Sequence, residues 1–348
     1  MQTFSTHLLL IIFIASAIAI WFAGVSLTKA TDTIDMRFKL GEALGGLILL
    51  GIATSLPEIA IVVSAALNGH YQVIIGNLIG GIALQTLVLA IFDAFVKGKK
   101  PLSYLAGSPI LILEGLFVIS ITVLAILGFK IGHSFNIYGV GGISILLVAG
   151  WLLGLYIIDK VRLKPSLNAT APEADPGRKH HERRAIEHRF FKGRSNLHVI
   201  WIFSVAALAI LIAGVFLERS GTALAGQLGI SSGIFAATFM AFVAALPEIS
   251  TGIESIIIGD NLLAISDIFG GNAFMPSLFL LGDIIAGKSI LAHATTQDYW
   301  FAVLGIVLTG IYVLSYLFKP QRRFLRLGLD SILVIVIYGA GLTLLFMR

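Results

Sequence analysis

Long apolar stretches constrain this 348-residue chain more than any other feature. About ten of them are roughly 20 residues long, the length at which a helix crosses the ~30 Å hydrocarbon core of a bilayer. Only 12% of the residues are charged and 57% are hydrophobic, whereas soluble domains carry about 25% charged and 45–50% apolar residues. The composition therefore excludes a water-soluble enzyme or binding module and predicts an all-α polytopic membrane protein.

Ten of these stretches are predicted to be transmembrane helices. The longest polar separator lies between the fifth and the sixth. It divides the chain into a first five-helix repeat over 1–158, a basic loop over 159–196 and a second five-helix repeat over 197–348. The predicted helices lie near 7–28, 40–68, 72–96, 108–128, 136–158, 197–217, 225–258, 262–286, 299–318 and 327–347.

Basic residues collect on one side of the predicted membrane. When the loops are numbered alternately, that side holds 20 of the 24 Lys and Arg residues. The positive-inside rule therefore places both termini outside and the 159–196 loop in the cytoplasm, in what we expect to be a prokaryotic plasma (inner) membrane. Because topology explains the net charge of +5, no nucleic-acid partner is expected, and the loop is predicted to lie on anionic lipid of the bilayer. The sequence does not set the oligomeric state.

The two halves of the chain resemble each other. A constant offset of 190 residues aligns 22–93 with 212–283 without a gap. The matches include Leu-Pro-Glu-Ile at 56–59 and 246–249, paired glycines at 80–81 and 270–271, and Asp at 93 and 283. Because each half has an odd number of helices, the second half enters the membrane in the opposite orientation. Inverted repeats are typical of secondary transporters, which bind ions near the midplane where the repeats meet.

Glu58 and Glu248 lie about halfway along the second and seventh predicted helices. A carboxylate at that depth costs about 2.5–3.5 kcal/mol unless it faces a cavity or a partner. Neither helix supplies a nearby Lys or Arg, so a cation or a proton is the expected partner; two protonated glutamates bonded to neighbouring helices are the structural alternative. The proline before each glutamate frees backbone carbonyls, which together with the carboxylate form an oxygen cage suited to Ca²⁺ or Na⁺.

On these residues the chain resembles the cation/Ca²⁺ exchanger superfamily, to which the sodium/calcium exchangers belong, as a divergent member. Each repeat of that family carries G-T-S-L-P-E, followed by G-N-x-x-G-S-N-x-x-N/D. The corresponding stretches here are 53–58 (ATSLPE) and 76–85 (GNLIGGIALQ) in the first repeat, and 243–248 (VAALPE) and 266–275 (SDIFGGNAFM) in the second.

The resemblance implies that Glu58 and Glu248 are the central ligands of the transported cation, with oxygens from Thr54 and Ser55 in the first repeat. In the second repeat Ala244 retains only its carbonyl. Asp267 is either a helix cap or an acid that lines the site. The complete candidate set is Glu58, Glu248, Thr54, Ser55, Ala244, Gln85, Asn77 and Asp267.

Several departures from the family motif bear on the coupling ion. Ala244 and Ala245 replace Thr-Ser, and Gln85 and Met275 replace the final Asn and Asp. These changes weaken the sites that resemble the family's sodium sites. Two close carboxylates also titrate as a pair, so exchange against protons is the other possibility.

The predicted function is a secondary-active cation antiporter, which exports Ca²⁺ in exchange for Na⁺ or H⁺ by alternating access at a midplane Glu58/Glu248 site. We expect no cofactor and no enzymatic activity, because motifs such as His-Glu-x-x-His and Gly-x-Ser-x-Gly do not occur. The alternatives are a degenerate exchanger that acts as a membrane binding or scaffold protein, and an antiporter for a different cation.

Overall fold

The computed structural model describes residues 1, 4–38, 50–132, 134–162, 191 and 193–347. These residues form helices and two short β-hairpins. The first half contains α1 (Thr6–Phe38), α2 (Leu50–Thr54), α3 (Leu56–Asn68), α4 (Tyr71–Ile75), a π-helical segment (Gly76–Gly80), α5 (Gly81–Phe95), α6 (Leu102–Leu105), α7 (Pro109–Ile131), β1 (Asn136–Ile137), β2 (Val140–Gly141) and α8 (Gly142–Arg162).

The second half follows a similar order. It contains α9 (Asn196–Leu228), α10 (Ser232–Phe235), a second π-helical segment (Ala236–Met240), α11 (Ala241–Ala244), α12 (Leu246–Ile258), α13 (Asn261–Phe274), a 3₁₀ turn (Met275–Ser277), α14 (Leu278–Ala286), a second 3₁₀ turn (Leu291–His293), α15 (Thr296–Phe318), β3 (Arg323–Phe324), β4 (Leu327–Gly328) and α16 (Leu329–Phe346).

Eight helical stretches within the described residues are long and apolar enough to cross a membrane. A ninth is obtained if 232–244 and 246–258, which meet at an angle of 46°, count as one span. The remaining predicted span, 40–68, lies only partly within the described residues, as α2 and α3. The predicted basic loop and its lipid contact lie mostly outside them, over 163–190.

Two predicted helix ends and the start of the seventh helix are wrong. The first helix ends at Phe38 instead of residue 28, and the sixth ends at Leu228 instead of 217. The seventh accordingly starts at Ser232, not at 225. By hydropathy, the polar residues at these boundaries resemble loops, but they do not break a helix. α9 continues until Gly229, whose left-handed backbone (φ 67°) ends it.

The long helices α1 and α9 position the broken helices of the opposite half. Glycine allows each of these contacts: a Cβ on Gly24 of α1 would lie 2.6 Å from Cγ of Pro247, and a Cβ on Gly214 of α9 would lie 2.5 Å from Cβ of Ala60. Small residues permit such close backbone approach between membrane helices. Each long helix is therefore packed directly against the Leu-Pro-Glu segment, or the turn after it, of the other half.

The two hairpins were not predicted from the sequence. β1 pairs with β2 and β3 with β4, both antiparallel, so the fifth helix starts at Gly142 and not at 136. Each hairpin turns through two residues with positive φ, Tyr138-Gly139 in the first and Leu325-Arg326 in the second. Turns of this kind normally carry Asn-Gly or Asp-Gly, and that signal is missing here.

A buried aspartate holds each hairpin, and it comes from the other half of the chain. Asp93, at the end of α5, accepts hydrogen bonds from the backbone N–H of Gly328 (2.5 Å) and Leu102 (2.7 Å) and from the Ser331 hydroxyl (2.9 Å). Asp283, at the end of α14, accepts from the backbone N–H of Gly141 (2.9 Å) and Ile290 (2.7 Å). Both carboxylates therefore join the two halves.

Replacing Asp93 by Ala is expected to destabilise the protein by about 3 kcal/mol, because three buried donors lose a charged acceptor. Thermal unfolding of the purified protein in detergent measures the effect. Asp93→Asn serves as the control, since its amide oxygen still accepts and about half of the stability should remain. If Asp93→Ala unfolded at the wild-type temperature, the carboxylate would not hold the hairpin.

Candidate cation-binding site

Two helix breaks at equivalent positions create the candidate site. Ser55 (φ −85°, ψ 10°) separates α2 from α3, and Ala245 (φ −77°, ψ 0°) separates α11 from α12. Proline follows at the second position of each new helix, where its missing N–H costs no hydrogen bond. The carbonyl four residues before each proline loses its usual helical donor, so backbone oxygens become available at both breaks.

Glu58 and Glu248 lie in the first turns of α3 and α12, directly after these breaks. The positive end of a helix dipole favours negative charge at that position. Each residue is only 1% exposed, and the two carboxylates are close enough for their charges to repel one another. The two halves thus bring one acid each to a common buried point.

Polar side chains of the first half surround the two acids. Gln85 Nε2 lies 3.5 Å from Oε1 of Glu58, at the outer limit of a hydrogen bond. The Thr54 hydroxyl lies beside the Glu248 carboxylate and also donates to the Gly51 carbonyl at 3.2 Å. These oxygen-bearing groups come from residues that the sequence assigned to the site.

Several buried polar atoms at this point have no hydrogen-bond partner. They are Oε2 of Glu58, Oε2 of Glu248 and Oε1 of Gln85; both polar atoms of the buried Asn77 side chain, in the π-helical segment, also lack a partner. Buried polar groups are nearly always hydrogen-bonded, so such a cluster requires an explanation. Carboxylate and amide oxygens are the ligands that hard cations prefer, and the oxygen atoms of this cluster fit a bound cation.

The remaining candidate residues differ in where they lie and in which atoms they offer. Ser55 is buried at the first break, and Ala244, also buried, contributes no side-chain oxygen. Asp267 accepts a hydrogen bond from the Thr251 hydroxyl (3.3 Å) and is near enough for its charge to act on Glu248. It does not cap its helix: Asp260 does, by accepting from the Leu263 N–H at 3.1 Å. The lining role of Asp267 stays a prediction.

Gln85 and Met275 occupy equivalent positions with different chemistry. A Cβ on Gly271 would lie 3.5 Å from Oε1 of Gln85, and a Cβ on Gly81 would lie 3.2 Å from Sδ of Met275. The second glycine of each pair, Gly81 or Gly271, therefore lies next to the last motif residue of the opposite half. Because one of these residues is an amide and the other a thioether, the first half presents oxygen where the second half presents sulfur and carbon.

Asn272 is a buried polar residue that sequence reasoning did not select. Asn272 is 0% exposed, its Nδ2 donates to the Thr86 hydroxyl at 3.2 Å, and its Oδ1 has no partner. The Thr86 hydroxyl in turn lies 3.3 Å from that of Thr309. The Asn within the motif stretch 266–275 was the available signal; its equivalent in the first half is Ile82, so the repeat comparison did not select it.

The arrangement is a two-carboxylate site. Across the residues that the structure describes, no three His, Cys, Asp or Glu side chains come together as a metal-binding group. Two carboxylates, amides and a hydroxyl at a break in two helices can exchange a small cation for protons or for another cation. They supply neither a nucleophile nor a fixed multi-acid metal centre.

A family model described as sodium/calcium exchanger protein matches residues 8–165 and 198–347. Two curated relatives have similar length. Inner membrane protein YrbG of Escherichia coli K12 is 22% identical over 309 residues, covering 88% of this chain and 89% of the relative. Putative antiporter CaxA of Alkalimonas amylolytica is 22% identical over 319 residues, covering 90% of this chain and 92% of the relative.

Solved structures of two exchangers share the fold. The crystal structure of the H⁺/Ca²⁺ exchanger CAX superposes with a TM-score of 0.69 at 15% identity, covering 97% of this chain and 82% of that one. The sodium-calcium exchanger NCX_Mj superposes with a TM-score of 0.59 at 17% identity, covering 97% of this chain and 99% of that one. At these identities the likeness concerns the fold.

Proposed function

Because this chain belongs to the sodium/calcium exchanger protein family, we propose that it is a secondary-active antiporter that exports Ca²⁺ in exchange for Na⁺ or H⁺ at the Glu58/Glu248 site. Members of this family are cation transporters, so the protein is an integral membrane transporter and not an enzyme, and it uses no cofactor. Inorganic cations are its substrates.

One observation supports the proposal: two buried glutamates from equivalent broken helices lie within range of each other's charge, and Gln85 beside Glu58 has an unpartnered amide oxygen. Two ionised carboxylates in so apolar a setting repel each other and are poorly solvated. A divalent cation neutralises both charges at once, and so do two protons or two Na⁺ ions. The site therefore supports competition between one Ca²⁺ and the coupling ions, which is the chemical requirement for exchange.

The donor set supports Ca²⁺ as the exported ion. Carboxylate, amide, hydroxyl and backbone oxygens suit a hard cation with flexible coordination. Thr54 and Gln85 supply such oxygens from the first half. Ala244 and Met275 supply no side-chain oxygen, so the second half offers fewer additional sites for Na⁺. This asymmetry favours H⁺ over several Na⁺ ions as the coupling ion.

We propose ten transmembrane helices arranged as two inverted five-helix repeats, as predicted from the sequence. The two 33-residue helices α1 and α9, the equivalent breaks at Ser55 and Ala245 and the two hairpins support this arrangement. The Lys and Arg distribution supports termini outside, a cytoplasmic 159–196 loop on anionic lipid, and a prokaryotic inner membrane. Under this topology alternating access exposes one central site to each side in turn.

Uptake of ⁴⁵Ca²⁺ into proteoliposomes tests the proposal, with an outward Na⁺ gradient, an outward H⁺ gradient or no gradient. We expect uptake under one gradient only, and the asymmetry of the site predicts the H⁺ gradient. Uptake under the Na⁺ gradient alone would reverse the choice of coupling ion. No uptake under any gradient would contradict Ca²⁺ antiport and favour a different cation or a scaffold role.

A further inference from the structure

A buried carboxylate outside the candidate site joins three parts of the fold. Glu218 of α9 is 0% exposed. One of its oxygens accepts from the Ser64 hydroxyl of α3 at 2.6 Å. The other lies 2.7 Å from Nδ1 of His70, in the turn between α3 and α4, and 3.1 Å from the Thr222 hydroxyl. Charge-assisted bonds of this length are among the strongest that side chains make.

The equivalent positions in the other half carry a different arrangement of groups. With the offset of 190 residues, Thr28 of α1 corresponds to Glu218, and its hydroxyl bonds to the Gly24 carbonyl of its own helix at 3.1 Å. Asp260 corresponds to His70 and caps α13. The remaining two members of the cluster, Thr222 and Ser64, correspond to Asp32 and Glu254. The bond between a histidine and a fully buried glutamate is therefore specific to one half, because the equivalent turn forms without it.

The cluster lies between the candidate site and the membrane face that carries His70. Ser64 is six residues beyond Glu58 on α3, about 9 Å along the helix axis. Asn77, with its unpartnered side chain, lies in the π-helical segment that follows α4. π-helical turns are frequent at functional sites. α3 and the π-helical segment therefore both run between this face and the depth of Glu58, so a path from this face to Glu58 would lie along them.

α10 and the second π-helical segment pack tightly on the first π-helical segment. A Cβ on Gly76 would overlap the Gly233 carbonyl, and one on Gly80 would overlap Ala237. Gly233 belongs to α10, which follows α9 after three residues. The segment that covers Gly76 is thus attached to the helix that Glu218 ties to α3.

We propose that His70 and Glu218 are positioning residues for transport: they form a latch that holds α9 and α10 against α3 and α4 and keeps the path closed on this face. Opening requires the Glu218 bonds to His70 and Ser64 to break together. The inference rests on alternating access in the proposed function, but not on the identity of the transported cation.

Cysteine labelling tests the latch, because the chain contains no cysteine. The full-length protein with the reporter substitution Asn77→Cys is reconstituted in proteoliposomes. A membrane-impermeant methanethiosulfonate reagent is then added on the side of the membrane that carries His70. Labelling should be slow with the latch intact and roughly tenfold faster when His70→Ala or Glu218→Gln is added, since a charge-assisted bond to the closed state is lost. His70→Asn, which retains a donor, should restore slow labelling.

Thr28→Ala in the same reporter is the matched control and should leave the labelling rate unchanged. Labelling in SDS shows that the thiol is reactive. If Glu218→Gln fails to fold, His70→Ala carries the test, because the His70 side chain is 32% exposed and tolerates truncation. Equal rates with and without the latch, or fast labelling of the reporter alone, would overturn the proposal. Neither result depends on Ca²⁺ flux, so the antiport proposal would stand or fall separately.

Discussion

Glu58→Gln and Glu248→Gln are each expected to reduce ⁴⁵Ca²⁺ uptake by about 100-fold or more, because either change removes half of the charge that balances a divalent cation. The amide keeps the size of the side chain, so the protein should still fold. Uptake is measured in proteoliposomes under the gradient that drives the wild-type protein. Gel filtration in detergent confirms that each variant remains monodisperse.

Glu254→Gln provides the matched control, since Glu254 is a glutamate of α12 six residues beyond Glu248 and only partly buried. It is expected to keep uptake within a few-fold of wild type, as substitutions away from a binding site usually do. If the control lost transport as completely as Glu248→Gln, the loss would not be specific to Glu248, because any neutralised acid of α12 would cause it. If both site variants transported normally, the two glutamates would not hold the cation.

Gly76→Ala is expected to destabilise the protein by about 3 kcal/mol or to prevent folding. Its Cβ would overlap the Gly233 carbonyl oxygen, which is backbone and cannot rotate away as a side chain can. Overpacking of this kind costs about 1–3 kcal/mol, and more when neither partner moves. Thermal unfolding in detergent measures the loss, which should appear as a lower midpoint temperature.

Gly310→Ala isolates the effect of the added methyl group. Gly310 lies in α15, and nothing lies within 4 Å of the position of its Cβ. Alanine favours a helix over glycine by about 1 kcal/mol, so this variant should match or exceed wild-type stability. If Gly76→Ala were as stable as Gly310→Ala, the contact between the first π-helical segment and α10 would not be tight.

Hydropathy predicted the helical membrane fold but not its details. An apolar run defines where a helix crosses the membrane, whereas caps and breakers define where it ends. Gly229 ends α9, and the polar residues before it do not. The hairpins were missed for a related reason: Leu325 and Arg326 adopt positive φ without the glycine or asparagine that normally marks such a turn.

The internal repeat predicted the central acids of the site, because Glu58 and Glu248 occupy the same position in both halves. It missed residues that differ between the halves. Asn272 corresponds to Ile82, so symmetry gave no reason to choose it. The helix-cap interpretation of Asp267 was also wrong, because the sequence did not show that Asp260 begins the helix. The sequence shows which residues differ between the halves, but their contacts become visible only when side chains are placed.

Asp93 and Asp283 each bind a hairpin of the other half, and this has a consequence for biosynthesis. Asp93 leaves the ribosome 235 residues before Gly328, the hairpin residue that it binds. During that interval the first half has a buried carboxylate that lacks two of its three donors. The first half is thus incomplete as a folding unit and stays dependent on the nascent second half. Expressed as separate polypeptides, the halves should accumulate only when they are produced together in the same cell.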